Sequence, residues 1–209
     1  MRITEIFHSI QGEGVYMGIP MLFVRTNRCN LRCRWCDSKY TFTGGYEMPL
    51  EEILETVRKA NEEWVCFTGG EPLIQKEALT FVRSVAEFGK NVLIETSGSI
   101  DVGKYVFSDS VSIDMDVKTP SSQEEDSFLS GNLKYLREND YLKFVISDAV
   151  DYEFSRTFLQ RLDNKVNVVF QPAWGSDAKF LVESVIRDQL RVRVLPQFHK
   201  YVWGEIPGV

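Results

Sequence analysis

Three of the chain's four cysteines fall within eight residues, as Cys29-x-x-x-Cys33-x-x-Cys36. Thiolates this dense bind metal. A structural zinc ion takes four ligands and a 4Fe-4S cluster normally takes four thiolates, so three is one short of a closed site. Three thiolates can hold three irons of a cubane and leave the fourth open to a small molecule, which points to catalysis before a structural staple. Cys66 lies in the apolar run Trp64-Val65-Cys66-Phe67-Thr68 and reads as a small buried apolar residue. Neither His8 nor His199 has a zinc-finger spacing partner. A disulfide would leave an odd cysteine and require an oxidising compartment. Spacing alone keeps zinc as the alternative metal.

The elements that must position these thiols alternate. Short β-branched or aromatic runs predict strands over 21–26, 64–68, 91–95, 111–115, 141–146, 166–170 and 191–194, and amphipathic segments predict helices over 49–61, 75–88, 128–138, 152–162 and 177–189. Pro49 suits a first helical position, Gly89 a left-handed cap after Phe88, and Phe154, Phe158, Leu159 and Leu162 a buried stripe. Such alternation implies a mainly parallel sheet with helical cover, curled by right-handed crossovers into an α/β barrel or part of one. Seven strands with five helices fall short of the eight-fold barrel. Chemistry in such folds gathers at the carboxyl ends of the strands. Polar segments do follow the strands here: Arg25-Thr26-Asn27 and the cysteines, Thr68-Gly69-Gly70-Glu71-Pro72, Glu95-Thr96-Ser97-Gly98, Asp116-Val117-Lys118-Thr119, Ser147-Asp148, Gln171-Pro172 and Pro196-Gln197-Phe198-His199-Lys200. The most polar stretch, 119–126, reads as a mobile loop.

At 209 residues the chain suits a single domain, 1–209, with 44% hydrophobic and 26% charged residues. A net charge of −6 argues against broad binding to nucleic acid or a membrane surface, which needs a basic face. The amino terminus has no apolar leader and no run approaches membrane-spanning length. A cytoplasmic protein with reduced thiols is expected.

Together, the cysteine triplet and Gly69-Gly70-Glu71-Pro72 resemble the radical S-adenosylmethionine superfamily. The resemblance implies that Cys29, Cys33 and Cys36 hold a 4Fe-4S cluster whose open iron is chelated by the methionine end of S-adenosylmethionine. Gly69 and Gly70 would let the backbone approach closely, and Glu71 would accept from the methionine ammonium. A narrower similarity runs the length of the chain, through Glu5-Ile6-Phe7-His8-Ser9-Ile10-Gln11-Gly12-Glu13-Gly14, Gly18-Ile19-Pro20, Phe23-Val24-Arg25, Cys36-Asp37-Ser38 and Gln197-Phe198-His199-Lys200-Tyr201-Val202-Trp203-Gly204. These segments are similar to the 7-carboxy-7-deazaguanine synthase family. That implies a modified, shortened (β/α) barrel, a homodimer, a magnesium ion, and conversion of 6-carboxy-5,6,7,8-tetrahydropterin to 7-carboxy-7-deazaguanine with loss of ammonia. The product feeds queuosine or archaeosine synthesis in tRNA. A flavodoxin or ferredoxin supplies the electron, and the 5′-deoxyadenosyl radical removes hydrogen from C6 of the pterin.

By the same resemblance, Ile10, Gln11, Gly12, Arg25, Thr96, His199 and the terminal carboxylate of Val209 would contact the pterin. Arg25 also makes sense by itself, because a guanidinium clamps a carboxylate bidentately. Ser38 falls at the magnesium position. Trp35, Cys36, Asp37, Gly98, Asp116, Val117, Lys118, Phe170, Gln171, Pro172 and Ala173 fall on cofactor-lining stretches. Many relatives read Ser-Pro-Lys where this chain has Asp116-Val117-Lys118, so Lys118 matches and the two preceding positions depart. Two competing functions remain. A glycyl-radical activating enzyme shares the triplet but must admit a peptide loop, whereas the Gln11-Gly12-Glu13-Gly14 and carboxyl-terminal segments favour a small pterin. A zinc module would carry one tetrahedral ion.

Overall fold

In strands packed on both faces, successive side chains must satisfy two different environments, and this sheet is built on that division. The computed structural model describes residues 1–162, 166–206 and 208. In chain order they form β1 (Arg2–Ile10), β2 (Pro20–Thr26), β3 (Tyr46–Glu47), α1 (Leu50–Lys59), β4 (Trp64–Gly69), α2 (Ala78–Glu87), β5 (Asn91–Thr96), β6 (Val111–Asp116), β7 (Tyr141–Ile146), α3 (Ala149–Leu159), β8 (Asn167–Pro172), α4 (Ala178–Arg187), β9 (Arg193–Val194) and α5 (Phe198–Trp203), with short 3-10 turns between. One sheet carries all nine strands, in the order β3-β1-β2-β4-β5-β6-β7-β8-β9. Strands β2 and β4 to β9 run parallel, and β1 lies antiparallel to both of its neighbours, β2 and β3. The sequential order and open edges define a partial barrel.

Alternate residues separate cleanly. Leu22, Val24, Val65, Phe67, Val92, Ile94, Ile113, Leu142, Phe144 and Phe170 join the large core. Against it pack α1 through Leu50, Ile53 and Val57, and α2 through Ala78, Phe81, Val82 and Val85. Met21, Phe23, Cys66, Leu93, Tyr141 and Val169 form a second, smaller core on the opposite face, covered by Val15, Tyr16 and Ile19 from the β1–β2 connection. Further along the same strands, positions of the same parity become Arg25, Thr68, Glu95, Asp114, Lys143 and Gln171. The inner face therefore changes from apolar to charged toward the strands' carboxyl ends.

Several expectations shift. β1, absent from the predicted elements, pairs along β2 from Ile3–Thr26 to Ile10–Pro20. Pro49 is the extended residue before α1, not its first turn (φ −55°, ψ 141°), whereas Gly89 takes the expected left-handed conformation (φ 78°). α3 starts earlier than predicted because Asp148 caps it, accepting from Val150 and Asp151 N–H. Its fully buried residues are Asp151, Tyr152 and Ser155, while Phe154, Phe158 and Leu159 are only partly buried against the core. The predicted helix over 128–138 is a 3-10 stretch, Ser130–Tyr135. There the Asn132 side chain donates to Gly98 O and Ile100 O and accepts from Val102 N–H, side-chain bonding that competes with a regular helix.

Candidate active site

A cavity of about 530 Å³ opens inside the half-barrel. Its upper wall comes from the ends of β2, β4, β5, β6, β7 and β8, and its floor from the segment 10–13 that leaves β1. Among the predicted residues, Cys29, Cys33, Trp35, Cys36, Asp37, Ser38, Gly69, Gly70, Asp116, Lys118, Gln171 and Ala173 line it, together with Ile10, Gln11, Gly12, Arg25, Thr96 and His199. The thiols and the pterin-directed residues thus face one space.

The cysteine loop is held from two sides. Arg28, left-handed at φ 77°, donates its N–H to Thr41 O at 2.7 Å, and Arg34 N–H reaches Ser122 O at 2.9 Å. Trp35 Nε1 donates to Ser121 Oγ at 2.9 Å, and Arg32 N–H to Glu124 Oε1 at 2.5 Å. The polar stretch read as a mobile loop is therefore a buttress: Thr119 and Ser122 are buried, and Asp151 accepts from both Ser121 N–H and Oγ. The two glycines complete the support. A Cβ on Gly69 would meet Thr26 Oγ1 at 2.3 Å, and one on Gly70 would meet Arg28 O at 2.3 Å. Gly69 lets β4 close on the end of β2 and Gly70 lets the chain after it close on the cysteine loop, so both approach protein atoms.

Glu71 departs from its expected place. Its carboxylate is fully buried and off the cavity lining, accepting from Leu73 N–H, Thr96 Oγ1, Ser97 N–H and Ser97 Oγ at 2.6–3.1 Å. Burial pushes its pKa up against those donors. It joins the ends of β4 and β5, and it occupies the Thr96 hydroxyl proton. Strand parity corrects further positions. Val117 and Phe170 turn into the apolar core, Gly98 is filled around by Phe128 and Met115, and Pro172 is off the lining. Val209 lies outside the described residues.

What remains at the wall is polar and underused. Both amide atoms of Gln171 and Asp116 Oδ1 are buried with no hydrogen-bond partner among the described residues. Buried polar atoms without partners are costly, roughly 1–3 kcal/mol each, unless something polar fills the space beside them. Lys118 Nζ pairs with Asp116 Oδ2 at 3.0 Å and lies 5.7 Å from the Trp35 ring centre. Burial raises all three thiols, that of Cys33 to about 11; metal binding would have to displace their protons. Among the described residues no three His, Cys, Asp or Glu side chains are gathered into a ready metal site. Three thiols lining one cavity, beside partnerless polar groups, fit a thiolate-bound cluster together with a polar cofactor.

The floor holds residues the sequence reading passed over. Lys143 Nζ lies 2.8 Å from Asp114 Oδ2 and 2.9 Å from Glu13 Oε2. Glu13 Oε1 accepts from Gln197 Nε2, and Glu95 Oε1 from Gln11 Nε2, both at 2.8 Å. The available signal was a charged residue inside each apolar strand, Asp114 in VSIDMD and Lys143 in YLKFVI. Arg25 donates through Nε to Glu5 at 2.8 Å and stands over the Phe7 ring. Ser38 Oγ donates to Asp37 Oδ1 at 3.0 Å. Cys66 is fully buried on the inner face, as expected, with Gln11 Nε2 at 3.7 Å.

A mostly parallel half-barrel with three loop thiols at its open end defines a class. Residues 23–145 match the radical SAM superfamily, to which the chain belongs. It is 58% identical over 209 residues to 7-carboxy-7-deazaguanine synthase of Thermoplasma acidophilum and 47% identical to that of Koribacter versatilis, covering 100% of both chains in each case. It superposes on the crystal structure of QueE from Escherichia coli with a TM-score of 0.76 at 25% identity, covering 92% of each chain. Streptococcus suis SuiB bound to S-adenosylmethionine shares the fold alone, at 13% identity and a TM-score of 0.56. Within the superfamily, the chain belongs to the 7-carboxy-7-deazaguanine synthase family.

Proposed function

We propose that this chain is a radical S-adenosylmethionine lyase that turns 6-carboxy-5,6,7,8-tetrahydropterin into 7-carboxy-7-deazaguanine and ammonia, acting as one domain over 1–209. The observation carrying the proposal is that three thiols and Arg25, Gln11, Gly12 and His199 line a single cavity. Cys29, Cys33 and Cys36 would hold the 4Fe-4S cluster, with Trp35, Lys118, Asp116, Gln171 and Ala173 lining the space for S-adenosylmethionine. Bound there, these groups would supply a 5′-deoxyadenosyl radical able to remove hydrogen from a substrate carbon.

The protein's part is position and exclusion of water. Arg25 keeps its Nη pair free of protein acceptors among the described residues, and that pair would clamp the substrate carboxylate, fixing the adjacent C6. Phe7 and Phe23, stacked 4.9 Å apart, give the site an apolar wall. Glu95, with only one of its oxygens bonded to Gln11, and the backbone at 10–12 offer acceptors for the N–H edge of the pyrimidine ring. Ser38 offers one hydroxyl to magnesium, an ion that keeps much of its water shell and needs few protein ligands. A homodimer, a flavodoxin or ferredoxin as reductant, a place in queuosine or archaeosine synthesis and a cytoplasmic setting complete the proposal. Among the described residues no helix is long and apolar enough to cross a membrane.

The test is anaerobic incubation of the iron-loaded protein with reductant, S-adenosylmethionine and carboxytetrahydropterin. Deazaguanine and ammonia in equal amounts are expected. Cofactor cleavage with no change in the pterin would favour a glycyl-radical activating enzyme instead.

A further inference from the structure

We infer that Lys200 is a positioning residue, whose ion pair with Asp37 ties α5 to the thiol-bearing loop and so joins the two halves of the cavity. At its start, the segment carrying α5 is anchored to the floor. Phe198 N–H donates to Gly12 O at 2.8 Å, and Gln197 Nε2 donates to Glu13, which also receives Lys143. Gly12 belongs to this anchor, because a Cβ there would lie 2.2 Å from His199 Nδ1. The imidazole therefore sits directly on the backbone of the floor.

One residue further along, Lys200 Nζ reaches Asp37 Oδ2 at 3.0 Å, next to Cys36. Lysine is almost never buried without a partner, yet Lys200 is only 8% exposed while the Asp37 side chain is 50% exposed. The long side chain is held along the cavity wall by the carboxylate it meets. A helix of six residues has no stability of its own, so its order comes from these contacts together with the edge-on packing of Tyr201 against Trp174. The same short helix thus touches the substrate floor at Gly12 and Glu13 and the thiol loop at Asp37. Cutting the Lys200 contact frees the cluster side and leaves the floor side anchored.

The consequence for chemistry rests on the proposed function. Radical transfer demands that donor and acceptor be held in register, and small misplacement is penalised steeply. Loss of the ion pair is expected to let the cofactor be cleaved without productive capture by the pterin. A residue that merely supported the fold would lower both products together.

Two readouts test this with Lys200→Met and the charge-preserving Lys200→Arg. In the metal-free protein, hydrogen exchange of amides in 34–39 and 198–203 is expected to quicken about tenfold in Lys200→Met, with the β7 amides unaltered and Lys200→Arg close to wild type. In the loaded enzyme, the ratio of 5′-deoxyadenosine to deazaguanine is expected to rise at least about threefold in Lys200→Met and to recover in Lys200→Arg. Unaltered exchange overturns the tether regardless of turnover. Faster exchange with an unaltered ratio overturns the positioning role. A wild-type protein that makes no deazaguanine overturns the proposed function, while the exchange result still decides the tether.

Discussion

Lys143 on β7 and Asp114 on the neighbouring β6 form an ion pair of 2.8 Å with side chains only 5% and 1% exposed. The ammonium also serves Glu13 from the floor segment, so one buried cation joins three pieces of chain. Removing it strands two carboxylates in a water-poor interior. Lys143→Met is expected to cost about 3–5 kcal/mol of folding stability, because an uncompensated buried charge is far worse than an absent pair. Denaturant unfolding of the metal-free protein checks this, and a loss below about 1 kcal/mol would show the network to be solvated.

The same network sets an acid dependence. Burial works to raise the Glu13 carboxyl, but Lys143, then His199, and hydrogen bonds from Gln197 and Lys143 outweigh it and hold it well below its ordinary value of 4.5. A depressed carboxyl contributes stability that is fully present above the unfolded value and is lost as pH falls below it. Stability should therefore decline below about pH 4.5, more steeply in wild type than in Glu13→Gln. Unfolding curves at several pH values between neutrality and the acid limit measure the difference; parallel curves would contradict it.

Gly70→Ala addresses the support of the thiol loop. The added methyl would press on Arg28 O and on Cys29 Cβ, 2.9 Å away. Overpacking of this kind costs about 1–3 kcal/mol, and here the strain falls on the loop that bears the thiols. Iron retention after gel filtration should drop while far-ultraviolet circular dichroism stays native. Full retention would mean the loop yields without displacing its sulfurs.

The parallel strands and four of the five predicted helices were legible because each carries a strong period or apolar run, and the cysteine triplet and glycine pair announced themselves by spacing. What was not legible follows from geometry. Runs such as Phe170-Gln171-Pro172-Ala173 were read as one lining, although a strand sends neighbours to opposite faces and only Gln171 and Ala173 reach the cavity. Glu71 looked like a ligand because it follows two glycines, but three of its four donors, from Thr96 and Ser97, lie at the end of β5, distant in sequence. Segment 119–126 looked mobile from its composition, and only the folded chain brings Ser121, Ser122 and Glu124 against the cysteine loop. β1 was hidden because five of its nine residues are polar and break the alternation, although only His8 is exposed in the fold.

Arg25→Ala separates the two halves of the site. The variant is expected to bind carboxytetrahydropterin at least about tenfold more weakly, the effect of losing a charge-assisted clamp, while cleaving S-adenosylmethionine without substrate at the wild-type rate. Isothermal titration with the reduced pterin measures the first and 5′-deoxyadenosine release the second. Unaltered affinity would remove Arg25 from the clamp.

Three thiols would hold an iron–sulfur cluster with one position left open to a small molecule. The most direct measurement is iron content of the anaerobically reconstituted protein, followed by electron paramagnetic resonance of its reduced form with and without S-adenosylmethionine. About four irons per chain, with a spectrum that shifts when S-adenosylmethionine is added and is lost in Cys33→Ala, are the predicted results. A single zinc ion per chain, or a spectrum indifferent to S-adenosylmethionine, would exclude an open cluster at these thiols.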